Sequence, residues 1–426
     1  MNRIKIQPAR LEGSIELPPS KSYSHRAIIC AGLTDGKSEI INISYSEDVK
    51  TTINAMRLMG AEIKEHSDKL EISGVSVVDD KKRRIDCSES GSTLRFFIPI
   101  ALLQNRETVF TGKNSLKTRP INTYLEIMDK QGIWYNRINR ELPISIKGKL
   151  RAGKFVVDGN VSSQFITGLL FVLPLLNGNS KIVVKAGLES KKYVDMTIEL
   201  LKRFEIIIVN NNYREFYVEG NQKYRACDYE IEGDFSQAAF WLAAGVLGGK
   251  VSIEGVNLDT LQGDKIIVDI IKKMGGNVIE KGSTLHIVES KLNGVTIDVS
   301  ECPDLVPILA VLGALSGGTT KIINAKRLRF KESDRLKAIS TELNKIGADI
   351  KENIDGLIIR GKEKLKGGEV NTWGDHRIAM ALSIASIKCE SAVIINNPNV
   401  VKKSYPNFFE DFKKLGGVIN EFNMGK

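Results

Sequence analysis

Two apolar patterns alternate along the chain, and they differ in how far round a helix the apolar positions extend. In the first, a small or polar start leads into a run that is apolar on nearly every side, as in ITGLLFVLPLL and LVPILAVLGAL. A helix of that kind has no face for water and belongs in a core. In the second, apolar and charged positions recur at helical spacing, as in EDVKTTINAMRLMGAEI and GDKIIVDIIKKMGGNVI, which predicts surface helices with one buried face. Both patterns run into Ile/Val-rich stretches that read as strands. Most copies of the second place a glycine between helix and strand, where a left-handed C-cap is needed.

The first pattern begins near Ser20, Ser90, Ser162, Phe235, Cys302 and Gly374, a period of about seventy residues, and the second keeps the same period. Six copies of helix, strand, helix and strand imply an α/β repeat architecture with the apolar helices inside and the sheets and amphipathic helices wrapped around them. This is an inverted, barrel-like arrangement. Six units divide into two domains of three, with the break near Glu232-Gly233-Asp234, giving a first domain over 20–232 and a second over 233–426. Residues 1–19 read as strand and are able to pair with either.

The length of 426 residues agrees with more than one core. The amino-terminal stretch lacks the apolar region of a signal peptide, and the most apolar run, Phe165 to Leu176, falls short of the ~20 residues needed to span a bilayer. A cytoplasmic protein is expected. Five scattered cysteines without a CxxC pair argue against disulfides and structural zinc, and four histidines without ligand spacing give no metal site. No cofactor is expected. The net charge of +10 raises the question of nucleic acid. Runs such as Lys81-Lys82-Arg83-Arg84 and Lys191-Lys192 read as solvated faces, and aromatics interleaved with Lys/Arg on exposed strands are not found.

The informative charges stand at element starts. Lys21, Ser22 and Arg26 open the first apolar helix, Gly91 and Arg95 the second, and Ser162, Ser163 and Gln164 the third. Asp304 opens the fifth, and Asp375, His376 and Arg377 the sixth; Arg119, Lys331, Glu332 and Arg335 are expected at the starts of amphipathic helices. Helix N-termini aimed at one cleft favour anions by ~0.3–1 kcal/mol each. Charge-assisted hydrogen bonds from Arg or Lys, at ~1.5–3 kcal/mol, would dominate. Cations at N-termini oppose the helix dipole, so their recurrence points to an anionic ligand. The competing reading pairs them with Asp304, Glu332, Asp334 or Asp375 in structural ion pairs. Ser162 to Gln164 also fit an ordinary N-cap, and Gly91 a turn. The residues alone thus predict a cleft for a small polyanion, with carboxylates and a lysine available for proton transfer.

As a set, the motifs LPPSKSYSHRA, SGSTLR, RPI at Arg119, SSQF, PD at Asp304, RFKESDR, GDHRIAM and KKSYPNFF are similar to those of the 5-enolpyruvylshikimate-3-phosphate synthase family, in order along essentially the whole chain. The resemblance implies two inverted α/β domains of three repeats each, with residues 1–19 joining 233–426. It implies an enolpyruvyl transferase of the shikimate pathway, in aromatic amino-acid biosynthesis. Phosphoenolpyruvate would react with the 5-hydroxyl of shikimate 3-phosphate by addition and elimination, releasing phosphate. It implies that Lys21, Ser22, Arg26, Ser162, Ser163, Gln164, Ser190, Tyr193, Asp304 and Lys331 bind shikimate 3-phosphate. Lys21, Gly91, Arg119, Gln164, Arg335, Arg377 and Lys403 would bind phosphoenolpyruvate. Asp304 would take the hydroxyl proton, and Glu332 or Lys21 would protonate the methylene. A monomer is expected. Two positions depart from the family pattern: Glu89 and Arg327 stand where asparagines are usual, and Glu89 is expected to pair with Arg95 or turn away. The related transferases acting on UDP-N-acetylglucosamine carry a Lys-Asn pair near the start and a cysteine before their arginine. Here the residues are Lys21-Ser22 and TGKNSLKTRP.

Overall fold

The computed structural model describes residues 3–74 and 82–422, so Lys81 of the first basic run lies outside the described residues. The chain forms two compact units, Pro19–Ile231 and Met1–Pro18 with Glu232–Lys426. The apolar helices are α1 (Lys21–Gly32), α3 (Gly91–Ala101) and α5 (Gln164–Val172) in the first unit, and α7 (Phe235–Gly248), α9 (Val306–Ala314) and α11 (His376–Ala385) in the second. Every residue of α7, α9 and α11 is buried, and these three helices pack on one another. The amphipathic helices are α2 (Glu47–Met59), α4 (Asn122–Gln131), α6 (Lys191–Arg203), α8 (Ile267–Lys273), α10 (Arg335–Lys345) and α12 (Phe408–Lys414).

Each repeat owns a four-stranded sheet with one parallel and two antiparallel pairings. In the second repeat, Arg83–Asp86 runs parallel to Thr108–Thr111 across α3, and the hairpin Trp134–Arg137/Ile144–Lys147 completes the sheet after α4. The pattern is exchanged at two places. Leu11–Glu16, which precedes α1, runs parallel to Gly249–Glu254 of the fourth repeat, while Tyr229–Glu230, which precedes α7, runs parallel to Lys37–Ile41 of the first. Arg3–Gln7 lies between Val393–Asn396 and Val418–Phe422 in the sixth. Both amino-terminal strands therefore pair within the second unit.

Glycine closes most amphipathic helices: Gly60, Gly132, Gly275, Gly347 and Gly416 all have positive φ. The third repeat lacks this glycine, and Glu205 takes the left-handed place at φ 61°. The five cysteines are free thiols. Among the described residues no helix is long and apolar enough to cross a membrane. One residue of the basic runs departs from the solvated face expected of them, while Lys82 and Arg84 beside it are exposed. Arg83 is buried, donating to Gln104 and approaching the Met59 sulfur, whereas Lys191 and Lys192 are exposed.

Candidate active site

In the first unit Lys21 and Arg26 are held in different ways, one by a carboxylate and the other by neutral groups. Ser20 caps α1, so Lys21 is its first residue, and Lys21 Nζ lies 2.9 Å from Asp48 Oδ2 at the start of α2. One turn on, Arg26 is buried and ties α1 to α6: it donates to Thr197 Oγ1 (2.8 Å), Ser22 O (2.8 Å) and Tyr193 O (3.0 Å). Its guanidinium also lies over Phe96 at 5.5 Å. Burial pulls Arg26 down to about 10, so it stays cationic at neutral pH, and among the described residues its bonded acceptors are all neutral. Burial and the charges of Lys21 and Arg26 hold His25 well below the usual histidine range, hence neutral. Ser190 caps α6 in the left-handed region at φ 55° and is buried, an outlier of the kind that needs support from its surroundings.

A second group forms where α3 meets α5. Arg95 Nη1 donates to Gln164 Oε1 (2.8 Å), and Gln164 Nε2 donates to Ser92 Oγ (2.9 Å), which fixes the direction of the Gln164 amide. Ser162 Oγ accepts from Gln164 N at 3.3 Å, while Ser163 makes no side-chain cap. Gly91 is the first residue of α3, and a Cβ there would run into the Arg119 guanidinium. Arg119 is buried but does not start a helix. It has extended backbone after the 3-10 turn Asn114–Thr118, and α4 begins at Asn122, so the dipole argument does not apply to it. Glu89 Oε1 accepts from Asn114 Nδ2 at 3.0 Å.

The second unit gathers three cations and three carboxylates into one cluster. Arg335, 1% exposed, donates to Asp304 Oδ1 (2.7 Å), Glu332 Oε2 (2.6 Å) and Asp375 Oδ2 (2.8 Å). Arg377 Nη2 reaches Asp304 Oδ2 (3.2 Å), and Lys331 Nζ reaches Asp304 Oδ1 (3.4 Å). These contacts are the ion pairs of the competing sequence reading. Burial alone would raise the Asp304 carboxyl, but Arg377, Lys331 and Arg335 outweigh it and hold Asp304 well below the carboxylate range. Burial lowers Lys331, with Asp304 opposing. Burial disfavours the Arg335 charge, yet Asp375, Glu332 and Asp304 raise its proton affinity above the ordinary value. Lys403 is buried and donates to Gly374 O at 2.7 Å, just before the Asp375 cap of α11.

Lys331 and Glu332 lie in the connection between the 3-10 turn Lys326–Phe330 and α10, not at the helix start; Arg335 is the first residue of α10. Arg327 donates to Ser300 O. Asp48 and Thr197 hold Lys21 and Arg26 yet stand in unremarkable sequence, and only their distances reveal them, whereas Ser92, which holds Gln164, lies inside the SGSTLR motif. Among the described residues no group of three His, Cys, Asp or Glu is placed to hold a metal ion.

The family model described as EPSP synthase (3-phosphoshikimate 1-carboxyvinyltransferase) matches residues 6–412. A Clostridium novyi protein named 3-phosphoshikimate 1-carboxyvinyltransferase is 57% identical, with 100% of both chains covered. A protein of the same name from Clostridium acetobutylicum is 54% identical, again over 100% of both. Among solved structures, an EPSP synthase from Acinetobacter baumannii superposes with a TM-score of 0.81 at 24% identity, covering 99% of this chain and 100% of that one, which shows a shared fold.

Proposed function

Because the chain belongs to the EPSP synthase family, we propose that it transfers the enolpyruvyl group of phosphoenolpyruvate to the 5-hydroxyl of shikimate 3-phosphate and releases phosphate, acting as a cytoplasmic monomer. The two substrates bring about six negative charges from two phosphates and two carboxylates. The observation that carries the reading is the balanced cluster around Asp304, in which three cations are held by three carboxylates that an anionic substrate would displace.

That exchange gives Asp304 a means of becoming a base. While Arg377, Lys331 and Arg335 lean on it, its carboxylate has little affinity for a proton. When Arg335 and Arg377 turn to phosphoenolpyruvate, and Lys331 to shikimate 3-phosphate, that pull weakens and the proton affinity of Asp304 rises. Substrate binding thereby raises basicity where the 5-hydroxyl loses its proton. Glu332, released from Arg335, is the proposed donor to the methylene, with Lys21 as the competing donor. In the first unit Arg26, Ser22, Ser162, Ser163, Gln164, Ser190 and Tyr193 take shikimate 3-phosphate, with Lys21 and Gln164 serving both ligands. Gly91 and Arg119 there, and Lys403 in the second unit, take phosphoenolpyruvate. Addition gives a tetrahedral ketal phosphate, and loss of phosphate together with a proton from the new methyl group re-forms the double bond, now as an enol ether.

The test is phosphate release from phosphoenolpyruvate, with shikimate 3-phosphate and separately with UDP-N-acetylglucosamine as acceptor. Turnover with the first alone is expected. Turnover with the second alone would assign the chain to the sister reaction, and turnover with neither would remove the transferase reading.

A further inference from the structure

One buried carboxyl in the second unit has no part in the scheme above. Asp264 lies in the 3-10 turn Gly263–Ile266 and is 2% exposed. Its Oδ2 accepts from Ser236 Oγ at 2.5 Å, on the first turn of α7, whose cap is Asp234. Its Oδ1 is buried with no hydrogen-bond partner among the described residues. The turn Pro303–Leu305, which carries Asp304, packs against the same helix. A buried carboxyl bonded on one oxygen to a hydroxyl, and to no cation, is costly to build for packing alone.

We propose that Asp264 is a positioning residue for the transfer reaction, one that sets through its charge how readily Asp304 takes up a proton. The inference rests on the transferase reading. Asp304 and Asp264 are two acids in one low-dielectric region with unequal partners. Asp304 has Arg335, Arg377 and Lys331 bonded to it, whereas Asp264 has Ser236 and feels Arg377 only through its charge. The groups facing Asp264 are Asp304, Arg377 and Asp234, with the Cys302 thiol nearby. Burial, and then the Asp304 charge, push Asp264 up to about 6, with Arg377 and the Ser236 hydrogen bond opposing. The two carboxylates are thus driven apart, a division found where one acid is kept ionised and its neighbour is tuned.

The consequence has a sign. As pH rises through the Asp264 range its new negative charge repels that of Asp304, favours protonation of Asp304 and makes it a stronger base. It also competes for the Arg377 charge that suppresses that basicity. The ratio kcat/KM reports the free enzyme's ionisations. The wild type should therefore show an inflection near the Asp264 value of about 6, rising toward alkaline pH, beyond the limbs due to other groups.

Asp264→Asn keeps shape and removes charge. Its kcat/KM for phosphoenolpyruvate should match the wild type to within about twofold at pH 5 and fall about tenfold below it at pH 8. Affinity for shikimate 3-phosphate should be retained. A loss equal at both pH values would mean that Asp264 serves structure only, and no loss at either would mean that it has no role; both outcomes overturn the proposal. Ser236→Ala is the second variant, for use even if Asp264→Asn folds poorly. Losing the hydrogen bond that favours the charged form should move the inflection to higher pH, and an unmoved inflection overturns the proposal. Wild-type turnover with shikimate 3-phosphate is measured first. Its absence would fault the transferase reading, whereas its presence with a featureless profile would fault only the role of Asp264.

Discussion

Arg26, on the apolar helix α1, and Arg335, at the start of the amphipathic helix α10, are both buried arginines, yet their surroundings act in opposite directions. Arg26 is bonded to a hydroxyl and two backbone carbonyls, and burial pulls its proton affinity down to about 10. Arg335 is bonded to three carboxylates, which raise its proton affinity despite deeper burial. A buried cation with neutral partners adds little to the fold and retains attraction for an anion. A buried cation with acidic partners is needed by the fold, because those acids cannot be left alone. Under the proposed function the difference reads as a division of labour: Arg26 would hold charge in reserve for binding, and the Arg335 cluster would hold balanced charge that substrates rearrange for proton transfer.

The comparison breaks most visibly at Arg335. Arg335→Ala leaves Asp304, Glu332 and Asp375 sharing buried negative charge, and a loss of about 3–5 kcal/mol is expected in a denaturant titration. Arg26→Met should cost less than about 1 kcal/mol in the same titration, since an apolar chain replaces a buried charge, while shikimate 3-phosphate binding weakens about 10- to 100-fold by calorimetry. Equal stability losses at the two sites would erase the distinction.

The two carboxylates of the second unit sharpen it by their pH dependence. Asp304 has its folded value depressed, so its contribution to stability is present above the unfolded carboxylate range and is lost as pH falls through the folded value. Asp264 has its folded value raised, so its contribution is present below the unfolded value and is lost as pH rises through about 6. Asp264→Asn should therefore gain thermal stability relative to the wild type between pH 5 and pH 8, whereas Asp304→Asn should narrow the difference from wild type as the solution is acidified. Melting curves across that span and below it check both signs.

The smallest expected effect is at Gly91. An added Cβ would meet the far end of the Arg119 side chain, which is able to move, not backbone. Gly91→Ala should raise the KM for phosphoenolpyruvate several-fold, roughly 1 kcal/mol, with kcat and the melting temperature little changed.

Much of this plan was legible in the sequence because it rests on periodicity. Six apolar helices and six amphipathic ones stand where the two hydrophobic patterns repeat, and the glycines after Met59 and Gln131 mark helix ends by their backbone requirement. What stayed hidden depends on long-range pairing. Nothing local in Leu11–Glu16 says that it joins the fourth sheet instead of the first, because either partner buries the same face. The sequence reads Arg119 and Lys331 as helix starts, but 3-10 turns precede both and the helices begin at Asn122 and Arg335. Asp48, Thr197 and Asp264 are ordinary polar residues in amphipathic contexts, and only the fold brings them against Lys21, Arg26 and the neighbourhood of Asp304.

The division of labour is tested most directly by measuring shikimate 3-phosphate binding and phosphate release on the same two variants, Arg26→Met and Asp304→Asn. The account predicts that Arg26→Met loses affinity about 10- to 100-fold, and that Asp304→Asn keeps affinity within several-fold while turnover falls about 100- to 10,000-fold. Near-normal turnover in Asp304→Asn, or undiminished affinity in Arg26→Met, would contradict it.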